Sequence, residues 1–147
     1  MFLKRRGRIG ENMRMTEVVR VDSRGRVTMP SSIRDAVRLS EGMYVILVAD
    51  LDKREIRIVP FADPEAKLVE FRITFGDVPG ALAKAAEAMA NQGVDLLSSE
   101  SRTLRRGESA EWIVVADVSK CKCKLKELEQ KIVEAGAAKE VKFRNFP

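Results

Sequence analysis

Residues 68–96 read LVEFRITFGDVPGALAKAAEAMANQGVDL, and their pattern determines the architecture of the second half of the chain. Leu68–Phe75 alternates apolar and polar side chains, which is typical of a half-buried strand. Ala81–Asn91 places apolar side chains three and four positions apart and is followed by Gly93, which indicates an amphipathic helix. We therefore predict a strand and a helix joined by the short loop Gly76–Gly80.

The rest of this half continues the alternation of strands and helices. Val94–Thr103 and Trp112–Val118 are predicted strands, separated by a basic turn that contains glycine. Leu125–Ala135 has the spacing of an amphipathic helix, and Glu140–Phe146 closes the half as a strand. The predicted order is βαββαβ, an α+β fold of the ferredoxin-like type.

This half resembles the ACT domain, a regulatory module of amino-acid metabolism. The resemblance covers Lys67 to Phe146 and rests on the runs Asp77-Val78-Pro79-Gly80-Ala81-Leu82 and Gly93-Val94-Asp95-Leu96. It implies that two copies pair side by side and bind a small molecule, an amino acid in many members, between them. The residues that it implies for ligand binding are Asp77, Val78, Gly80, Asp95 and Leu96.

The chemistry of these residues leaves the ligand open. Gly80 lets a ligand approach the backbone, and the amides at a helix start favour an anion such as a carboxylate. Many amino-acid-binding members have asparagine where this chain has Asp77 or Asp95, and two carboxylates repel a ligand carboxylate but attract an ammonium group. The effector is therefore an amino acid, a cationic molecule or another compound, or the domain only strengthens dimerisation.

The first half reads as short strands around one short helix. Strands are predicted at Glu17–Val21, Arg26–Met29, Met43–Ala49 and Glu55–Val59. Pro30-Ser31-Ser32 predicts a helix start with serine as the N-cap. Because so small a module encloses little core, we expect it to form a homodimer.

Within this half, residues 20–34 read RVDSRGRVTMPSSIR and are followed by Leu39-Ser40-Glu41-Gly42-Met43. This pattern resembles the AbrB/MazE/SpoVT swapped-hairpin family from Thr16 to Pro60. The resemblance implies that two protomers interleave their hairpins into one mainly-β, double-psi-like dimeric barrel whose surface arginines contact double-stranded DNA. The arginines that it implies for DNA contact are Arg20, Arg24, Arg26, Arg34 and Arg38.

The charge distribution supports a nucleic-acid partner independently of any resemblance. Residues 1–62 carry 13 Lys and Arg against 8 Asp and Glu, whereas residues 63–147 carry 14 of each. A basic surface concentrated in one segment suits phosphate contacts, and the arginine fork can pair bidentately with phosphate or with a guanine edge. Two alternatives stay open: a solvated basic face, or pairing of Arg26 or Arg34 with Asp22 or Asp35 to brace the dimer.

A basic arm, Lys4-Arg5-Arg6-Gly7-Arg8, precedes the first half. It either follows the DNA backbone or enters a minor groove, or it is upstream sequence, with Met13 or Met15 as the native start. Two prolines bracket a linker after the first half. The predicted segments are the arm at 1–14, the DNA-binding domain at 15–61, the linker at 62–67 and the ACT-like domain at 68–147.

Composition argues against an enzyme. The chain has no histidine, which removes the commonest general base and metal ligand, and we find no phosphate-binding glycine loop. Cys121 and Cys123 lie in a lysine-rich loop and would hold a soft metal only if a second copy supplied two more thiols. We therefore expect no cofactor and no metal.

No apolar stretch reaches the roughly 18–20 residues of a membrane span, so we expect a cytoplasmic protein with no membrane partner.

These observations predict a DNA-binding transcription regulator whose ACT-like domain senses a small molecule and modulates DNA binding. The protein would act as a homodimer or as a tetramer. Two alternatives are an antitoxin of a toxin–antitoxin pair and a regulatory subunit of an amino-acid biosynthetic enzyme. The operator, the effector and the sign of regulation stay open.

Overall fold

The computed structural model describes residues 13–136 and 138–147. The chain divides into two compact units, and the division falls between Pro60 and Phe61. We call residues 1–60 the first unit and residues 61–147 the second unit. The first twelve residues of the predicted basic arm lie outside the described residues, and Met13 and Arg14 have no regular secondary structure.

Within residues 13–60, the regular elements of the first unit are one short helix and one hairpin. The helix α1 spans Ser31–Ala36, and the strands β1 and β2 span Tyr44–Asp50 and Glu55–Ala62. The two strands form a two-stranded sheet. Both strands lie where the alternating pattern predicts them, and β2 extends three residues beyond the predicted end.

The strands predicted at Glu17–Val21 and Arg26–Met29 are wrong for the single chain, because neither segment is paired as a strand. A strand requires a neighbour for its backbone N–H and C=O groups, and one copy of the chain offers none at these segments. The predicted serine N-cap is also wrong. Pro30 occupies the N-cap without a side-chain hydrogen bond, and the Ser32 hydroxyl donates to Glu17 Oε1 instead.

The described part of the first unit, residues 13–60, has no core of its own. No residue from Met13 to Pro60 is buried in the single chain. Its apolar side chains are open to solvent, with Val18 99% and Ile56 73% exposed. An isolated two-stranded hairpin is at best marginally stable in water, because its apolar face has nothing to pack against. The sequence of this unit thus contains a hydrophobic surface that a single copy leaves uncovered.

The second unit confirms the predicted ferredoxin-like order βαββαβ. Its four strands form one sheet in the order β4-β5-β3-β6, with β3 antiparallel to both β5 and β6. Strand β4 lies at one edge and pairs only with β5. The elements are β3 Leu68–Phe75, α2 Ala81–Asn91, β4 Asp95–Arg105, β5 Ser109–Asp117, α3 Leu125–Ala135 and β6 Ala138–Asn145.

The core of the second unit lies between the sheet and its two helices. Alternate residues of β3 are buried, from Val69 to Phe75, as the alternation in the sequence predicts. They pack with Trp112 of β5, Met89 of α2 and Leu128 of α3. In the part of the chain that the structure describes, no helix is long and apolar enough to cross a membrane.

Candidate functional site

A tight turn in the first unit is organised around the carboxylate of Asp22. Its Oδ1 accepts hydrogen bonds from the backbone N–H groups of Arg24 at 2.8 Å and Arg26 at 3.0 Å. Its Oδ2 accepts from the Arg26 guanidinium, with Nε and Nη2 each at 2.8 Å. The Arg26 backbone N–H, the Arg26 guanidinium and the Arg24 N–H, in that order, lower the pKa of Asp22. Gly25 completes the turn at a φ of 74°.

This geometry separates the roles of the two turn arginines. The Arg26 fork is bound to Asp22, which is the bracing alternative that the sequence left open. The Arg24 side chain is exposed and makes no hydrogen bond or ion pair with any described residue. Arg20, Arg34 and Arg38 are exposed as well, and Arg38 adopts a φ of 56° after the end of α1. DNA contact by the five arginines stays a prediction.

A second candidate site lies in the second unit, at the end of the sheet where β3 leads into α2. It is a cavity of about 450 Å³, which we call the loop cavity. Asp77, Val78 and Gly80 line it, so three of the five ligand-binding residues predicted from the sequence come together here. Arg102 and Glu111 form part of another wall, and these two residues were not predicted.

Asp77 joins the β3–α2 loop to the turn between β4 and β5. Its Oδ2 accepts a hydrogen bond of 2.7 Å from Gly107 N, and its own N–H donates to Glu108 O at 3.2 Å. Lys139 Nζ also donates to Glu108 O, at 3.3 Å. These bonds fix the mouth of the loop cavity. Asp77 therefore positions a loop, in addition to any contact that its second carboxylate oxygen makes with a ligand.

Gly80 has the backbone freedom that the sequence predicts for it. Its φ is 84°, and a side chain added there would meet no atom within 4 Å, so the backbone faces open space beside the cavity. It is the N-cap residue of α2, and the first amides of a helix have no acceptor within the helix. The Ala81 N–H donates to Val78 O at 3.2 Å, so the amides open to a ligand oxyanion are the next ones along the first turn.

Glu111 is a buried carboxylate in the wall of the loop cavity, with only 8% of its surface exposed. Its Oε2 accepts from Arg102 Nε at 3.0 Å and from Arg102 Nη2 at 2.7 Å, and Arg72 Nη1 lies 3.6 Å from Oε1. The hydrogen bonds and the charge of Glu111 raise the pKa of Arg102. Arg102 on β4 lies opposite Glu111 on β5. This pairing can be predicted only when the alignment of the two strands is known.

Asp95 and Leu96 are not part of the loop cavity in the single chain. They begin β4, where Asp95 pairs with Asp117, whereas Thr103, which lines the cavity, pairs with Ala110 near the other end of the strand. The eight residue-to-residue steps from Asp95 to Thr103 correspond to about 26 Å along a strand. A site formed by all five predicted residues within one copy is therefore excluded by the register, and Leu96 packs against the core.

Comparisons with known proteins add distant structural similarities. The sequence matches no protein-family model and no curated protein. The C-terminal domain of the MgtC protein from Mycobacterium tuberculosis is similar in structure, with a TM-score of 0.46 and 10% identity over 57% of this chain and 92% of that chain.

Two further solved structures are similar to the chain. For the regulatory subunit of aspartate kinase from Thermus thermophilus, the TM-score is 0.40 and the identity 14% over 71% of this chain and 57% of that chain. For prephenate dehydratase from Streptococcus mutans, the TM-score is 0.38 and the identity 19% over 79% of this chain and 64% of that chain. The similarity thus spans less than two thirds of these two proteins. At such TM-scores, the function has to be inferred from the residues of this chain.

Proposed function

We propose that the protein is a DNA-binding regulator that acts as a pair of chains and binds a small molecule at a site shared between two second units. The observation that carries this proposal is the state of the first unit. The Asp22 carboxylate holds the backbone of its arginine-bearing turn in place, but residues 13–60 contain no buried side chain. Such a unit requires a second copy for stability and offers preformed cationic groups to an anionic partner.

The segments left unpaired in one copy give a second copy a place to bind. Residues 17–21 and 26–29 have strand-like sequences and no strand partner within the chain. If two copies exchange these segments, each unpaired backbone gains a ladder neighbour and valines such as Val19 and Val27 leave the solvent. Burial of one such side chain contributes about 1.5–3 kcal/mol. This arrangement corresponds to the swapped-hairpin barrel that the sequence resembles.

Charge and geometry favour DNA as the partner of the first unit. The Arg24 side chain has no partner among the described residues, while Asp22 holds Arg26 in a fixed orientation beside it. Because the turn already fixes the backbone, Arg24 loses only side-chain entropy when it contacts a phosphate. We assign Arg24 to DNA contact and Arg26 to positioning of the turn, with Arg20, Arg34 and Arg38 as further contacts.

The edge strand β4 explains how Asp95 and Leu96 reach a shared ligand site. An exposed edge strand is a template for pairing with another strand. If two β4 strands, each Asp95–Arg105, pair antiparallel in full register, residue 95 of one copy lies opposite Arg105 of the other. Leu96 then lies opposite Leu104, next to the cavity-lining Thr103. The loop cavity of one copy thereby meets the second copy's Asp95 and Leu96.

The proposed ligand is an amino acid. Its ammonium group would meet the carboxylates of Asp77 and the second copy's Asp95, and its carboxylate would meet the amides of Leu82 and Ala83 in the first turn of α2. Binding between two copies would change how the first units are spaced on DNA. Such coupling between two sites is typically worth about 1–3 kcal/mol.

The test is selection of DNA fragments from a random duplex pool, followed by affinity measurements with and without a panel of the twenty amino acids. We expect enrichment of one sequence and a roughly 5–150-fold change in affinity with at least one amino acid. Failure to enrich any sequence would remove the DNA-binding function. An affinity that no amino acid changes would remove the sensing function.

A further inference from the structure

The loop between β5 and α3 brings two thiols together. Sγ of Cys121 and Sγ of Cys123 lie 3.9 Å apart, and they belong to the only cysteines in the sequence. Both side chains are half-buried and pack against the core of the second unit. They belong neither to the turn around Asp22 nor to the loop cavity, so the role of neither site explains their proximity.

The backbone around the thiols is held in place on both sides. Cys121 N donates to Val118 O at 3.1 Å, and Lys122 N donates to Gln92 O at 2.8 Å. Gly93 lies against the same loop at a φ of 80°, where a side chain would stand 2.6 Å from the carbonyl oxygen of Lys120. The short separation of the thiols therefore belongs to a well-packed loop.

The separation fits a shared metal ion better than a covalent bond. A disulfide requires the two sulfur atoms to be about 2.05 Å apart, roughly half the observed distance. A two-coordinate ion lies on the line between its two thiolates, and at about 2.3 Å from each it holds the sulfurs about 4.6 Å apart. The pair thus has to open by roughly 0.7 Å to chelate such an ion, a smaller change than the roughly 1.9 Å of closing that a disulfide requires.

The number of donors selects the class of ion. Among residues 13–136 and 138–147, no group of three or more His, Cys, Asp or Glu side chains is placed to hold a metal. Structural zinc requires four ligands, which one copy of this chain does not supply here. Soft thiolate ligands select Cu(I), an ion that two sulfur donors satisfy.

We propose that Cys121 and Cys123 bind one Cu(I) ion per chain as a two-thiolate site. Each thiol releases one proton and each sulfur donates an electron pair to the metal, so the complex carries one negative charge and no atom changes oxidation state.

The experiment uses the reduced full-length chain under anaerobic conditions, with Cu(I) supplied as its coloured complex with bicinchoninate. The variants are Cys121→Ser and Cys123→Ser, and the matched control is Lys120→Ser, which changes the neighbouring exposed position and keeps both thiols. Fluorescence of Trp112 checks that each variant is folded. We expect the wild type and the control to withdraw one Cu(I) per chain from the coloured complex.

We expect each cysteine variant to bind Cu(I) at least about 100-fold more weakly, since even outer-shell partners of a metal site are worth about 10–100-fold. X-ray absorption should show two sulfur neighbours around copper. A wild-type chain that withdraws no Cu(I), a folded cysteine variant that withdraws as much as the wild type, or one ion bound per two chains by four sulfurs would each overturn the proposal.

Discussion

Removal of the Ser99 hydroxyl should destabilise the second unit, because it leaves a buried donor without a partner. Trp112 is 1% exposed, and its Nε1–H donates to Ser99 Oγ at 2.6 Å from the neighbouring strand. Ser99→Ala deletes the acceptor without touching the tryptophan. An unpaired buried donor costs about 1–3 kcal/mol, and because Ser99 is exposed, water can partly take the place of its hydroxyl. We therefore expect a loss of about 1 kcal/mol out of the roughly 5–15 kcal/mol that stabilises a domain.

The assay is urea unfolding followed by the fluorescence of Trp112, the only tryptophan in the chain. The matched control is Ser101→Ala, two residues along on the same face of β4, whose side chain makes no hydrogen bond with a described residue. We expect the control to lie within about 0.5 kcal/mol of the wild type. Equal stabilities for Ser99→Ala and Ser101→Ala would refute the reasoning that this bond ties the edge strand to the core.

Two further predictions concern the charged groups. Arg24→Ala should weaken DNA binding while leaving the Asp22 turn intact, and the logarithm of the affinity should fall linearly with the logarithm of the salt concentration. Fluorescence anisotropy with a labelled duplex measures both. An affinity that the substitution leaves unchanged, or one that does not depend on salt, would contradict the assignment. For Asp117, burial raises the pKa, but the hydrogen bonds from Ser119 and Lys67 together lower it. The stability that Asp117 contributes is therefore present above a pH of about 4 and is lost as the pH falls through its lowered pKa. In thermal unfolding scans, the melting temperature of Asp117→Asn should therefore fall less steeply with decreasing pH than that of the wild type. An equally steep fall would argue against this role of Asp117.

The second unit was predictable from the sequence because its pattern is local. Leu68–Phe75 alternates between a buried and an open face, and both helices carry an apolar stripe, so the elements are found within a few residues of their predicted bounds. The first unit was less predictable within one chain. Glu17–Val21 and Arg26–Met29 have strand-like composition, but pairing is a property of the neighbours, which one copy does not contain.

The candidate site shows the same limit. Loop chemistry identified Asp77, Val78 and Gly80, which do line one cavity. It did not identify Glu111 and its arginine partners. Which arginine lies opposite Glu111 depends on how β4 and β5 are aligned, and no local sequence pattern shows this alignment. The strand register also places Asp95 far from Asp77 within one copy, and this separation could not be predicted from any local pattern in the sequence.

The association state of the intact chain tests the central claim most directly. One chain has a mass of 16.5 kDa, and we propose that a second copy covers the apolar side chains that residues 13–60 leave exposed. Light scattering on the chain as it elutes from a sizing column, over a range of dilutions, should therefore give about 33 kDa, or about 66 kDa if pairs associate further. A folded chain that elutes at the mass of one copy at all concentrations would contradict the account.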